Sequence, residues 1–102
     1  LREVAEKNPE NAYAQYMLGV GSALSGQWDK AIERFTKVAS LQPDNVEVLL
    51  RVADACEKTG DKSAAKKWFQ QFLQTVKRLD ASGKFKANPE MVKQIEEHIK
   101  SL

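Results

Sequence analysis

Two stretches decide the fold: LSGQWDKAIERF at residues 24–35 and KTGDKSAAKKWF at residues 58–69. Both carry a glycine, an alanine five residues later and a phenylalanine four after that, as Gly26, Ala31 and Phe35 and as Gly60, Ala65 and Phe69. The offset is 34 residues, and other positions obey it. Leu18-Gly19 stands opposite Val52-Ala53, and QPDN at 42–45 repeats NPEN at 8–11. Each match has a physical reason. A glycine can take the left-handed conformation in which a helix stops. Gly19, Ala53, Ala31 and Ala65 are small enough to let two helices approach closely, and the phenylalanines fill the space between them.

The residues between these marks have helical periodicity. Ala31, Ile32, Phe35, Val38 and Ala39 share one helix face, as do Val48, Leu49, Val52, Ala53 and Cys56. Ala64, Ala65, Trp68, Phe69, Phe72, Leu73, Val76 and Leu79 extend the pattern over four turns. Asn11 and Asn45 are placed as N-caps, and Pro43 helps to end the helix before it. No stretch alternates like a strand. The reading is an all-α protein.

With a period of 34 residues, the unit resembles the tetratricopeptide repeat, whose pattern is W-x₂-L-G-x₂-Y, then A-x₃-F, then P. Leu18, Gly19, Gly26, Ala31, Phe35 and Pro43 carry the resemblance in the first unit. Gly60, Ala65 and Phe69 carry it in the second, with Val52 and Ala53 as close variants. Gln15 and Ser22 replace the pattern's tryptophan and tyrosine, and Lys77 stands where the second unit would end in proline. The resemblance implies an α–α superhelix of antiparallel helix pairs, a right-handed solenoid, with repeats at 12–45 and 46–79.

Both ends fit this scheme. Leu1, Val4 and Ala5 precede Pro9 as Phe35, Val38 and Ala39 precede Pro43, so residues 1–8 read as the tail of a preceding unit's second helix. The chain is therefore expected to be a fragment of a longer array. Without its stop proline, the helix after Gly60 should run through Leu79 and end near Ser82-Gly83. A loop at 84–87 would then tuck Phe85 onto the core. Asn88 would cap a last helix with Pro89 at its first position. Met91, Val92, Ile95, Ile99 and Leu102 give residues 88–102 one apolar face, as a capping helix requires. The third tetrapeptide, NPEM at 88–91, would then mark the end of the array rather than a further repeat.

Composition narrows the function. Of 102 residues, 42% are hydrophobic and 29% charged, which describes one soluble globular unit. The net charge of +2 gives no global pull towards nucleic acid or membrane. No apolar run approaches the ~20 residues that span a bilayer. Charge is nevertheless uneven: residues 62–86 hold Lys62, Lys66, Lys67, Lys77, Arg78, Lys84 and Lys86 against Asp80 alone. A solvated helix face is the plainer account of that stretch.

No catalytic, cofactor-binding or metal-binding residue is expected. Cys56 and His98 are the single cysteine and histidine, too few for a zinc site. Cys56 lies on an apolar stripe and reads as a packed thiol, and His98 as a partly exposed helix residue. The glycines at 19, 21 and 26 lack the strand and the Gly-Lys-Ser/Thr of a phosphate loop. Asp54, Glu57 and Asp61 fall at helical spacing and read as a solvated acidic face rather than a calcium loop. Trp28, Trp68 and Phe69 read as core.

Binding follows as the expected role. The resemblance implies a concave groove lined by Tyr13, Tyr16, Val20 and Ala23 of the first unit and by Glu47, Leu50, Asp54 and Glu57 of the second. Such a surface suits a protein or peptide partner with apolar anchors and some basic character. Packing of Tyr13 and Tyr16 on a preceding unit stands equally open. Some family members clamp a C-terminal carboxylate with lysines and asparagines. Tyr16, Val20 and Arg51 stand at the corresponding places here, which argues against that clamp. The expected function is a non-catalytic interaction or scaffold module. Three rivals stay open: self-association through the N-terminal edge, an accessory domain of a larger enzyme or assembly factor, and a basic surface for acidic ligands. Nucleic acid and membrane are not expected partners.

Overall fold

The computed structural model describes residues 11–102, and the reading of residues 1–8 lies outside them. Five helices follow one another: α1 (Ala12–Leu24), α2 (Trp28–Leu41), α3 (Val46–Lys58), α4 (Lys62–Ala81) and α5 (Pro89–Ser101). No strand occurs among the described residues.

Local chemistry sets where the helices begin. The Asn11 side chain accepts a hydrogen bond from the Ala14 amide at 3.0 Å, and Asn45 from that of Val48 at 3.2 Å. Asn88 accepts from Glu90 at 3.0 Å, with Pro89 in the first turn of α5, where a missing amide hydrogen costs nothing. Asp61 accepts from Ala64 at 3.0 Å and caps α4. This corrects its expected place on one acidic face with Asp54 and Glu57. The chain breaks at Gly60, so Asp61 opens the next helix instead of continuing α3.

The stops are equally regular. Gly26 and Gly60 have φ of +77° and +84°, the region that glycine occupies without strain. In each case the glycine amide bonds the carbonyl three residues back. The following amide then bonds the carbonyl five back, Gln27 to Ser22 at 2.8 Å and Asp61 to Cys56 at 3.1 Å. This pair of bonds satisfies carbonyls that the helix end would otherwise leave open. The same closure at Gly83 ends α4 after Ala81, where the sequence places the stop.

Each helix packs on the next in sequence, and the core lies between them. Phe35, Val38, Val48, Leu49, Val52, Ala53, Phe69, Phe72 and Val76 are buried in one cluster. Burying each large member contributes roughly 1.5–3 kcal/mol. α3 has packed neighbours on both sides and contributes six buried residues. α5 is held more thinly. Of its expected apolar face only Ile99 is buried, while Met91, Val92, Ile95 and Leu102 are half-covered. Phe85 packs against the core from the loop before α5. Two ion pairs add ties at the surface: Lys77 of α4 with Glu96 of α5, and Arg78 of α4 with Asp44 before α3. Two cations of the basic stretch thus join elements of the fold.

Candidate binding groove

Side chains from all five helices line one open groove of about 740 Å³. Its apolar part comes from Leu24 of α1, Trp28 and Phe35 of α2, Leu50 of α3, Phe69 of α4 and Ile95 of α5. Leu24 is 85% exposed and Tyr13 66%, the two large hydrophobic side chains left most open to water among the described residues. The polar part is mostly α3, which presents Glu47, Arg51, Asp54 and Glu57 along one face. A one-turn spacing puts these residues side by side.

The polar groups are organised. The Tyr16 hydroxyl donates to Glu47 at 3.2 Å, and Arg51 reaches the same carboxylate at 3.5 Å. The Arg51 guanidinium also lies over the Tyr16 ring, 5.6 Å from its centre. Burial pushes the Tyr16 hydroxyl above its ordinary pKa, and the nearby Arg51 opposes that shift. At the other end, His98 Nε2 lies 2.7 Å from Glu57 Oε1, and its ring meets Phe69 edge-on at 5.2 Å between centres. That contact fastens α5 to α3 and closes the far wall of the groove. Asp54, between the two organised ends, is exposed and has no side-chain partner among the described residues.

The structure gathers Glu47, Leu50, Asp54 and Glu57 in this groove, with Ala23. Tyr13 and Tyr16 line an adjoining shallower hollow that shares Glu47. Val20 packs half-buried against the core and lines neither. Trp28, Phe35 and Phe69 face the groove while packing in or against the core. Leu24, Arg51, Ile95 and His98 also belong to the lining. Leu24 and Arg51 could have been found one turn on from Val20 and Glu47 on the same helix faces. His98 could not, because its place depends on the length of α4 and the loop after it.

Cys56 is buried and in no disulfide among the described residues, and burial pushes its thiol above the ordinary range, with Asp61 adding to the shift. Among the described residues, no group of His, Cys, Asp and Glu side chains is arranged to hold a metal ion. None of the described helices is long and apolar enough to cross a membrane.

No curated protein matches the chain. Among solved structures, one described as the crystal structure of MamA protein is similar, with a TM-score of 0.73 at 27% sequence identity. The match covers 86% of this chain and 48% of that one, so this chain spans about half the length of that relative. A family model described as the tetratricopeptide repeat matches residues 23–81, which take in α2, α3 and α4 with both glycine stops. With two helix pairs, α1–α2 and α3–α4, whose first helices end at glycines 34 residues apart, this match shows that the chain belongs to the tetratricopeptide repeat family.

Proposed function

We propose that the chain is a non-catalytic interaction module that holds a segment of a partner protein in the groove between α1, α3 and α5. The family acts generally as a protein-interaction scaffold, which supports this reading. The observation that carries it is the groove itself. It is open and combines apolar side chains from all five helices with a few placed polar groups. A highly exposed Leu24 at its edge gives an incoming side chain something to bury against. On this reading residues 12–45 and 46–79 are two repeats, residues 88–102 cap them, and the unit serves as part of a longer protein.

Photo-crosslinking tests the assignment. A photoreactive residue at position 24, inside the groove, is compared with one at Gln70 on the outer face of α4. Partner adducts should form from position 24 and diminish sharply when Leu50 is also replaced by aspartate. Adducts that form only from position 70 overturn the groove reading.

A further inference from the structure

The two walls of the groove differ in chemistry, and the difference specifies what fits. α1 offers only apolar side chains to it, Ala23 and Leu24, with Tyr13 and Tyr16 continuing along the same helix into the adjoining hollow. α3 offers three carboxylates against one guanidinium. The guanidinium is already engaged, since Arg51 is drawn to Glu47 and Tyr16 at one end. Glu57 is contacted by His98 through one oxygen. Asp54 has no side-chain partner among the described residues, and Lys58, one turn beyond it, does not line the groove.

Like charges one turn apart destabilise a helix. Asp54 and Glu57 face the same groove at that spacing, so together they present negative charge to whatever enters it. The floor beneath them is Phe35, Phe69 and Trp28. Apolar walls of low dielectric concentrate the field of the carboxylates instead of screening it.

Taking the groove as the binding site, we infer that its occupant is a cationic amphipathic segment. Its aliphatic or aromatic side chains lie against α1 and the aromatic floor, and its lysines or arginines meet Asp54 and Glu57. The carboxylates select by charge and the apolar wall supplies most of the affinity. An acidic segment of equal hydrophobicity is excluded by repulsion from the same residues.

The test uses the intact chain and two labelled helical peptides of equal hydrophobicity, one of leucine and lysine and one of leucine and glutamate. Fluorescence anisotropy should show binding of the leucine–lysine peptide, weakening as salt rises. The leucine–glutamate peptide should bind at least about tenfold more weakly. Asp54→Lys should weaken the leucine–lysine peptide by about fivefold, the scale of one exposed ion pair, without lowering the thermal midpoint. Leu24→Asp, at an exposed position, should weaken it as well. Equal binding of both peptides, unchanged by Asp54→Lys but weakened by Leu24→Asp, overturns the cationic class and leaves the groove intact. Binding insensitive to both substitutions overturns the groove as well. If neither peptide binds, the cationic class is overturned and the crosslinking comparison decides the groove alone.

Discussion

Gly19 of α1 lies directly against Phe35 of α2, and its replacement by alanine tests the packing directly. A Cβ built on Gly19 would lie 2.6 Å from Cε1 and 2.8 Å from Cδ1 of Phe35. Carbon contacts settle near 3.5–4.0 Å, so one partner must move. Phe35 has little room, being 2% exposed and flanked by the Tyr16 ring at 5.7 Å between centres. Overpacking of this kind costs about 1–3 kcal/mol. Removing a glycine from a helix interior returns about 1 kcal/mol. The second pair accommodates Ala53 at the equivalent place, so α1 can relax towards that geometry, which puts the cost in the middle of its range. The expected net is a loss of about 1 kcal/mol, or about 4–8 °C in thermal midpoint for a domain of this size. Gly21 supplies the control. It lies in the same helix, is exposed, and has nothing within 4 Å of its would-be Cβ. Gly21→Ala should therefore stabilise by up to about 1 kcal/mol. Urea and thermal unfolding followed by circular dichroism measure both, and Phe35→Leu should partly relieve Gly19→Ala in a double-mutant cycle. If Gly19→Ala stabilises as much as Gly21→Ala, the close approach is wrong.

Other outcomes follow from single groups. Asp61→Ala should cost about 1 kcal/mol in urea unfolding through loss of the α4 cap, whereas Asp61→Asn, which caps equally well, should cost almost nothing. The Cys56 thiol, buried and raised in pKa, should react with iodoacetamide at mildly alkaline pH at least about tenfold more slowly in the native chain than in urea. A native rate matching the unfolded one would contradict its burial. The Tyr16 hydroxyl loses its proton less readily in the folded chain than in the unfolded one. Its contribution is thus present below the ordinary value of 10.0 and is lost as pH rises beyond it. The urea midpoint should fall across that range, and Tyr16→Phe should make the fall shallower.

Much of this fold is written in local chemistry that a single sequence displays. Asn11, Asn45 and Asn88 announce helix starts because an asparagine side chain at an N-cap accepts from the open amides two or three residues ahead. Gly26 and Gly60 announce stops because few other residues take a positive φ at little cost. Asp61 was harder to read. Its spacing from Glu57 mimics one continuous helix, and only the break at Gly60 reassigns it. The groove was legible where it repeats and obscure where it does not. Leu50, Asp54 and Glu57 follow from the register of α3, but His98 reaches Glu57 only because α4 runs 20 residues and a loop returns the chain. Trp28, Phe35 and Phe69 carry a core pattern and nevertheless present surface to the groove. Hydrophobic periodicity records which face of a helix is covered, not whether part of that cover was left open.

The 34-residue period separates two kinds of position. Ala31 and Ala65, and Phe35 and Phe69, match across the units and are buried, while Gly26 and Gly60 match because they end helices. These positions answer to geometry, which is the same in both units, so the same residue serves twice. Other positions of the first helices do not match. There Tyr13 stands against Glu47, Tyr16 against Leu50, Val20 against Asp54 and Ala23 against Glu57. Three of these four pairs exchange an apolar or aromatic side chain for a carboxylate. Tyr13, Glu47 and Asp54 are exposed there, while Tyr16, Val20, Ala23, Leu50 and Glu57 are half-buried. On the proposed function the difference has a use, because a surface that discriminates must present different chemistry at different points along its ligand. The matched residues therefore build the stack, and the mismatched ones make the two first helices chemically unlike, apolar and aromatic along α1 and mostly acidic along α3.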